Sequence, residues 1–144
     1  MSDHVFDTEP LITYLYDEPG AREVADYLRV IQDGTGTGAI AHATAAEIGY
    51  KVARLEATEP NSVTSSETVF PKGTRPIRVF QSFGVGIDTP DWNRVARIKA
   101  PGGISLGDAY PAALAEQRGA TLVVGRDPEF DDIPADIEIE RVAE

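Results

Sequence analysis

Residues Ile104 to Phe130, ISLGDAYPAALAEQRGATLVVGRDPEF, join a helix pattern to a strand that must be covered on both faces. Leu106, Ala109, Tyr110, Ala113 and Leu114 recur at i, i+3, i+4, i+7 and i+8, an apolar stripe that needs a core. Gly119 follows as a helix stop. Thr121-Leu122-Val123-Val124 is then apolar on successive rather than alternate residues, which suits a parallel strand between two helical layers. Asp127 comes at the carboxyl end of that strand, the edge where open α/β sheets bind ligands.

The remaining chain repeats the alternation. Val5-Phe6 reads as a first strand, with Asp7 at its carboxyl end and Thr8 capping a helix that starts near Glu9-Pro10. A second helix begins at Pro19 and carries Val24, Tyr27, Leu28 and Ile31 on one face. The glycine-rich run 33–38 reads as a turn, since no Gly-Lys-Ser/Thr follows that would make it a phosphate cradle. Ala39 to Ala41 reads as a second strand, followed by a helix from Ala43 to Ala57 with Ala45, Ile48, Val52 and Leu55 inward. Residues 58–76 are polar and aperiodic, which predicts a long loop, either a mobile flap or a partner surface. Helical turns over 77–83, a strand over 85–87, a helix over 90–99 with Trp92, Val95, Ala96 and Ile98 apolar, and an edge strand over 136–140 complete the reading. The expected fold is a single domain over 1–144, a three-layer α/β/α sandwich around a mostly parallel sheet of roughly four or five strands.

Composition narrows the chemistry. The chain has no cysteine, which removes disulfides, thiolate metal sites and cysteine nucleophiles. No apolar run reaches the about 18 residues of a membrane span, and the first residues lack a leader pattern, so a soluble cytoplasmic protein is expected. Acids outnumber bases 24 to 13 for a net charge of −11, and only Lys51, Lys72 and Lys99 are lysine. Such a surface repels nucleic acid at low salt, but it suits a salt-rich cytoplasm of short Debye length, as in halophiles. The charge is uneven. Phe70 to Ala100 carries six bases and two acids, either a phosphate track on an acidic body or a solvated helix face with a loop.

Asp7, Glu47, Asp108 and Asp127 each have an ordinary structural explanation. Thr44-x-x-Glu47 and Ser105-x-x-Asp108 fit capping boxes, Asp127-Pro128 fits a turn, and Asp7 fits a helix cap. Together they carry more. The alternation brings all four to one sheet edge, where crowded carboxylates repel and raise each other's pKa unless a cation neutralises them. Oxygen ligands select a hard ion, Mg²⁺ or Mn²⁺, and the chemistry that follows is phosphodiester hydrolysis. His4 and His42 lack metal-ligand spacing, and Ser105 has no histidine partner pattern.

Asp7-Thr8 after the first strand, Thr44-Ala45-Ala46-Glu47 on the helix after the second, Ser105-Leu106-Gly107-Asp108-Ala109 at a helix start and Asp127 after the last core strand resemble the PIN domain, the metal-dependent ribonuclease module of VapC-type toxins. The match spans about residues 4 to 130 and is poor between about 57 and 84. The resemblance implies Asp7 and Asp108 as metal ligands, Glu47 as a ligand directly or through water, and Asp127 as a second-site or water-bridged ligand. It also implies Thr8 positioning water or phosphate, an RNA substrate, an antitoxin partner and homodimerisation. Pro111 departs from the pattern. With Asp108 as N-cap, the preferred reading, Pro111 falls at N3, where the missing N–H costs nothing; a kink is the other solution. Gly125-Arg126 replaces a Thr-x pair, so Arg126 is expected either to meet a phosphate or to pair with the acidic cluster. A housekeeping RNA-processing enzyme would look the same. A receiver-like Mg²⁺-binding module and a fold of this kind without catalysis also fit the pattern of acids.

Overall fold

The computed structural model describes residues 1–57 and 70–142, and of Phe70 only the backbone. Five strands, β1 (Ser2–Phe6), β2 (Gly36–Ala41), β3 (Gly86–Asp88), β4 (Thr121–Val124) and β5 (Ile139–Arg141), form one parallel sheet in the order β3-β2-β1-β4-β5. The helices are α1 (Thr8–Leu15), α2 (Ala21–Gln32), α3 (His42–Glu56), α4 (Phe70–Phe83), α5 (Trp92–Lys99) and α6 (Leu106–Arg118). The chain thus forms the expected α/β/α sandwich. Its strand order differs from the 2-1-3-4-5 of the receiver fold, so the chain is not a receiver-like module.

Successive strand residues enter opposite cores. Val5, Ala39, Ala41, Leu122 and Val124 pack under α5 and α6, while Phe6, Ile40 and Val123 pack under α1 to α4. All eight are fully buried, which is why these strands read as continuous apolar runs. Gly38 lies within β2 because a Cβ there would collide with Ile31 of α2 and come 3.2 Å from Phe6. The glycine run is therefore partly strand, and the turn is shorter than expected.

Several expectations shift. Residues 70–76 belong to α4 rather than to a loop; residues 58–69 lie outside the described residues. Gly73 lets α4 cross α3 closely, since a Cβ on it would strike the Gly49 carbonyl and come 3.2 Å from the Ala53 Cβ. Leu55, Trp92 and Leu106 point outward at 60%, 79% and 55% exposure, and Ala53, Val95 and Ala112 supply the inward contacts near them. The tail strand is β5, shorter than the alternating run and shifted toward Arg141. No helix among the described residues is long and apolar enough to cross a membrane.

Two ion-pair clusters fasten α6. Arg118 donates from Nε and Nη2 to the two Asp3 oxygens at 3.0 and 2.7 Å, and Glu116 receives Arg94 at 2.7 Å, Arg97 and the Asp136 N–H at 2.9 Å. Arg94 and Arg97 are therefore not part of a continuous basic track.

Candidate metal centre at the sheet edge

β1 lies between β2 and β4, and the chain winds away from it in both directions, so the crevice between the ends of β1 and β4 is the topological switch point. Asp7 and Asp127 follow these two strands. The Asp7 N–H donates to the Val123 carbonyl at 2.9 Å, which fixes it to the end of β4. Asp7, not Thr8, stands at the N-cap of α1, yet its side chain makes no capping bond. It is 4% exposed and its Oδ1 has no hydrogen-bond partner. Burial pushes its pKa up to about 7, partly offset by the Thr8 N–H and reinforced by the charges of Glu47, Glu9 and Asp127.

Asp108 comes from the first turn of α6. Ser105 is the N-cap, its Oγ accepting from the Asp108 N–H at 3.2 Å, so the helix starts earlier than expected and holds Pro111 inside it. The preference for Asp108 as cap fails because a serine hydroxyl three residues upstream already satisfies that N–H. Burial, then the charges of Asp7, Glu129 and Asp127, push Asp108 up to about 8.

Glu47 lies one turn into α3. The capping box expected with Thr44 does not form, because α3 begins at His42 with Ala41 as N-cap, and Thr44 is fully buried. One Glu47 oxygen is buried without a partner, and the other lies 3.7 Å from Lys51 Nζ. Gly107 of α6 leaves it room: a Cβ there would sit 2.9 Å from Glu47 Oε1. Asp127 does cap as its ordinary reading expects, accepting from the Glu129 N–H at 2.9 Å in the 3-10 turn Pro128–Phe130. Arg141 of β5 holds that loop by donating to the carbonyls of Gly125 and Asp127, each at 3.0 Å.

Two acids at this edge do not stand out in the sequence. Glu129 is brought back by the Asp127-Pro128 turn and accepts from the Ser105 N–H; it joins Asp108 and Asp127 in offering carboxylate oxygens within 4.8 Å of one another. The Asp-Pro-Glu spacing carried that signal, because a one-turn helix returns the second residue toward its cap. Glu9 packs against Gly125, where a Cβ would collide with its carboxylate, and accepts from the Arg126 N–H at 3.2 Å. Arg126 itself is exposed.

A cavity of about 280 Å³ opens on Asp7, Thr8, Glu47, Lys51, Asp108 and Asp127. All four acids picked out in the sequence line it, and so does Thr8, 3% exposed with an unpartnered hydroxyl. His4 and His42 do not. His4 is buried in β1 with its ring 4.9 Å from that of Tyr27, and His42 is exposed at the start of α3. The amino termini of α1 and α6 meet at this edge, adding a positive field beside the acids.

The PIN domain family model matches residues 4–136. The chain belongs to the PIN domain family. The fold of this PIN domain is similar to that of a chain in VapBC2 from Rickettsia felis bound to promoter DNA, with a TM-score of 0.67 at 18% identity, covering 96% of this chain and 98% of that one. It is similar also to a chain in DNA-bound VapBC from Salmonella typhimurium, with a TM-score of 0.64 at 22% identity, covering 99% and 100%. FitAcB from Neisseria gonorrhoeae gives 0.58 at 23% identity, covering 94% of this chain and 95% of that chain. Among the curated proteins no relative matches the sequence.

Proposed function

We propose that this PIN domain is a metal-dependent endoribonuclease, the toxin of a type II toxin–antitoxin pair, working in the cytoplasm as a homodimer. The observation that carries the reading is the convergence of Asp7, Glu47, Asp108 and Asp127 on one small cavity, with oxygens of Asp7 and Glu47 buried and unpartnered. Carboxylates in such a place are costly as anions without a cation, and an all-oxygen donor set fits Mg²⁺ or Mn²⁺. Asp7, Asp108 and Glu47 would hold the ion, and Asp127 and Glu129 would offer further carboxylate oxygens beside Asp108. When bound, such an ion supplies positive charge against the phosphodiester and lowers the pKa of water. Thr8 orients the attacking water or a phosphate oxygen through its unbonded hydroxyl, and the α1 and α6 amino termini favour the phosphate. Arg126, exposed and next to Asp127 in the chain, contacts a phosphate of the RNA. The antitoxin reading draws support from the VapBC assemblies among the similar folds; a basic side chain of that partner would be attracted to the acidic cavity.

The test is cleavage of a mixed structured RNA in high KCl with Mn²⁺. Wild type is expected to cut, and EDTA, Asp7→Asn and Asp108→Asn each to reduce cutting by at least about 100-fold. Undiminished cutting by both variants would refute the assignment.

A further inference from the structure

Beyond the carboxylate cavity, further along α1 and α3, lies a second hollow of about 420 Å³, lined by Leu15, Tyr16, Val52, Glu56, Lys72 and Arg75. On α1 the lining passes from Ile12 and Thr13 to Leu15 and Tyr16, and on α3 from Glu47 and Lys51 to Val52 and Glu56. At 1.5 Å per residue, Glu47 to Glu56 spans roughly 14 Å. Resting on the ribonuclease reading, we propose that this groove carries the RNA strand on one side of the scissile bond, with Tyr16 stacking on an unpaired base and Lys51, Lys72 and Arg75 contacting phosphates.

Charge selects this exit. A strand crossing the carboxylates must leave the site on both sides, and beyond β4 it meets Arg126 among Glu129, Asp131 and Asp132. Along α1 and α3 it passes Glu18 and Lys51, whose Nζ lies 3.7 Å from Glu47 Oε2, and then meets Lys72 and Arg75 against Glu56, whose Oε1 already accepts from the Tyr16 hydroxyl at 2.9 Å. Lys72 and Arg75 are exposed on α4 and make no ion pair with the described residues. In a chain of net charge −11, Lys72 and Arg75 against Glu56 alone give the second hollow a local sign opposite to the body. Tyr16 lines this hollow at the C-cap of α1, 36% exposed, with its hydroxyl tied to Glu56. A fixed aromatic beside a row of cations is the means by which proteins hold single strands without reading sequence.

Binding of a fluorescein-labelled unpaired RNA oligonucleotide, followed by anisotropy in EDTA across a KCl series, tests this without cleavage. Tyr16→Ala is expected to weaken binding about tenfold, and Tyr16→Phe, which keeps the ring, to stay near wild type. Lys72→Ala with Arg75→Ala should weaken binding and flatten the slope of log K against log salt by about 1.4. Melting curves confirm that each variant is folded. Equal affinities and salt slopes across the set overturn the track even if wild type cleaves RNA with Mn²⁺, whereas a wild type that binds RNA but never cleaves it sinks the nuclease reading alone. If RNA binding is unchanged while a co-expressed antitoxin is lost from the variants, the groove is a protein surface and the proposal falls.

Discussion

Asp7 shows how the site works against the fold. A carboxylate 4% exposed, with an unbonded oxygen and a pKa near 7, costs the metal-free protein stability at neutral pH on the order of a few kcal/mol. Asp7→Asn keeps the shape and removes the charge. It should therefore raise the metal-free melting temperature at pH 8 by a few degrees while abolishing cleavage; a variant that melts lower would show that the charge is not what strains the site. Gly107→Ala acts on the neighbouring acid. Its Cβ would come 2.9 Å from Glu47 Oε1, so the carboxylate must turn away. Alanine also favours the helix by about 1 kcal/mol. The expected result is a protein at least as stable in urea whose cleavage rate falls about tenfold. Asp7, Glu47, Asp108 and Asp127 were legible in the sequence because each follows a strand or sits near the start of the helix after it, where an acid reaches the carboxyl edge. Glu9 was not, because its place depends on a glycine across the site, and Glu129 was signalled only by the short Asp-Pro-Glu spacing of a 3-10 turn.

Among the elements, α3 and α4 form a pair that sequence patterns conceal. The strands and α2 announce themselves through apolar runs and a 3.6-residue stripe, whereas the first half of α4 holds Pro71, Gly73, Thr74 and Pro76 and reads as a loop, with only 77–83 reading as helical turns. Its stability comes from contact with α3, not from propensity. That contact needs a helix without a Cβ at Gly73, where the Gly49 carbonyl of α3 takes the space. Gly73→Ala should then separate the helices and lower unfolding stability by about 1–3 kcal/mol, read from the urea midpoint at constant m. A neutral result would mean that α4 is not held against α3 in this way. The same packing logic explains Pro111: α6 is buried at Pro111 and at Ala112 through Ala115, and the surrounding contacts keep the helix continuous past a missing N–H.

For the whole molecule, acids of two kinds set opposing pH dependences. Burial tends to raise Asp3 and Glu116, but the Arg118 and Thr37 hydrogen bonds to Asp3, and the Asp136 N–H, Arg94 and Arg97 around Glu116, outweigh it and hold both below 3.8 and 4.5 respectively. Their contribution is present above those values and lost as pH falls through the depressed ones. Asp7 and Asp108 run the other way. Their folded values, about 7 and about 8, lie above the unfolded 3.8, so their penalty is complete above pH 8 and relieved as the folded groups take up protons. The metal-free protein should therefore melt higher at pH 5 than at pH 8, and lower again below about pH 4. A saturating divalent ion changes the sign of the first limb. It binds the ionised carboxylates and stabilises the native state by mass action, and protons compete with it as pH falls. With excess Mn²⁺ the melting temperature should drop from pH 8 to pH 5, opposite to the EDTA series. Both series belong in the same high KCl, so that the repulsion of a net charge of −11 is screened alike. Parallel curves with and without Mn²⁺ would mean that the raised carboxylates do not hold the ion, and the metal centre would have to be sought elsewhere.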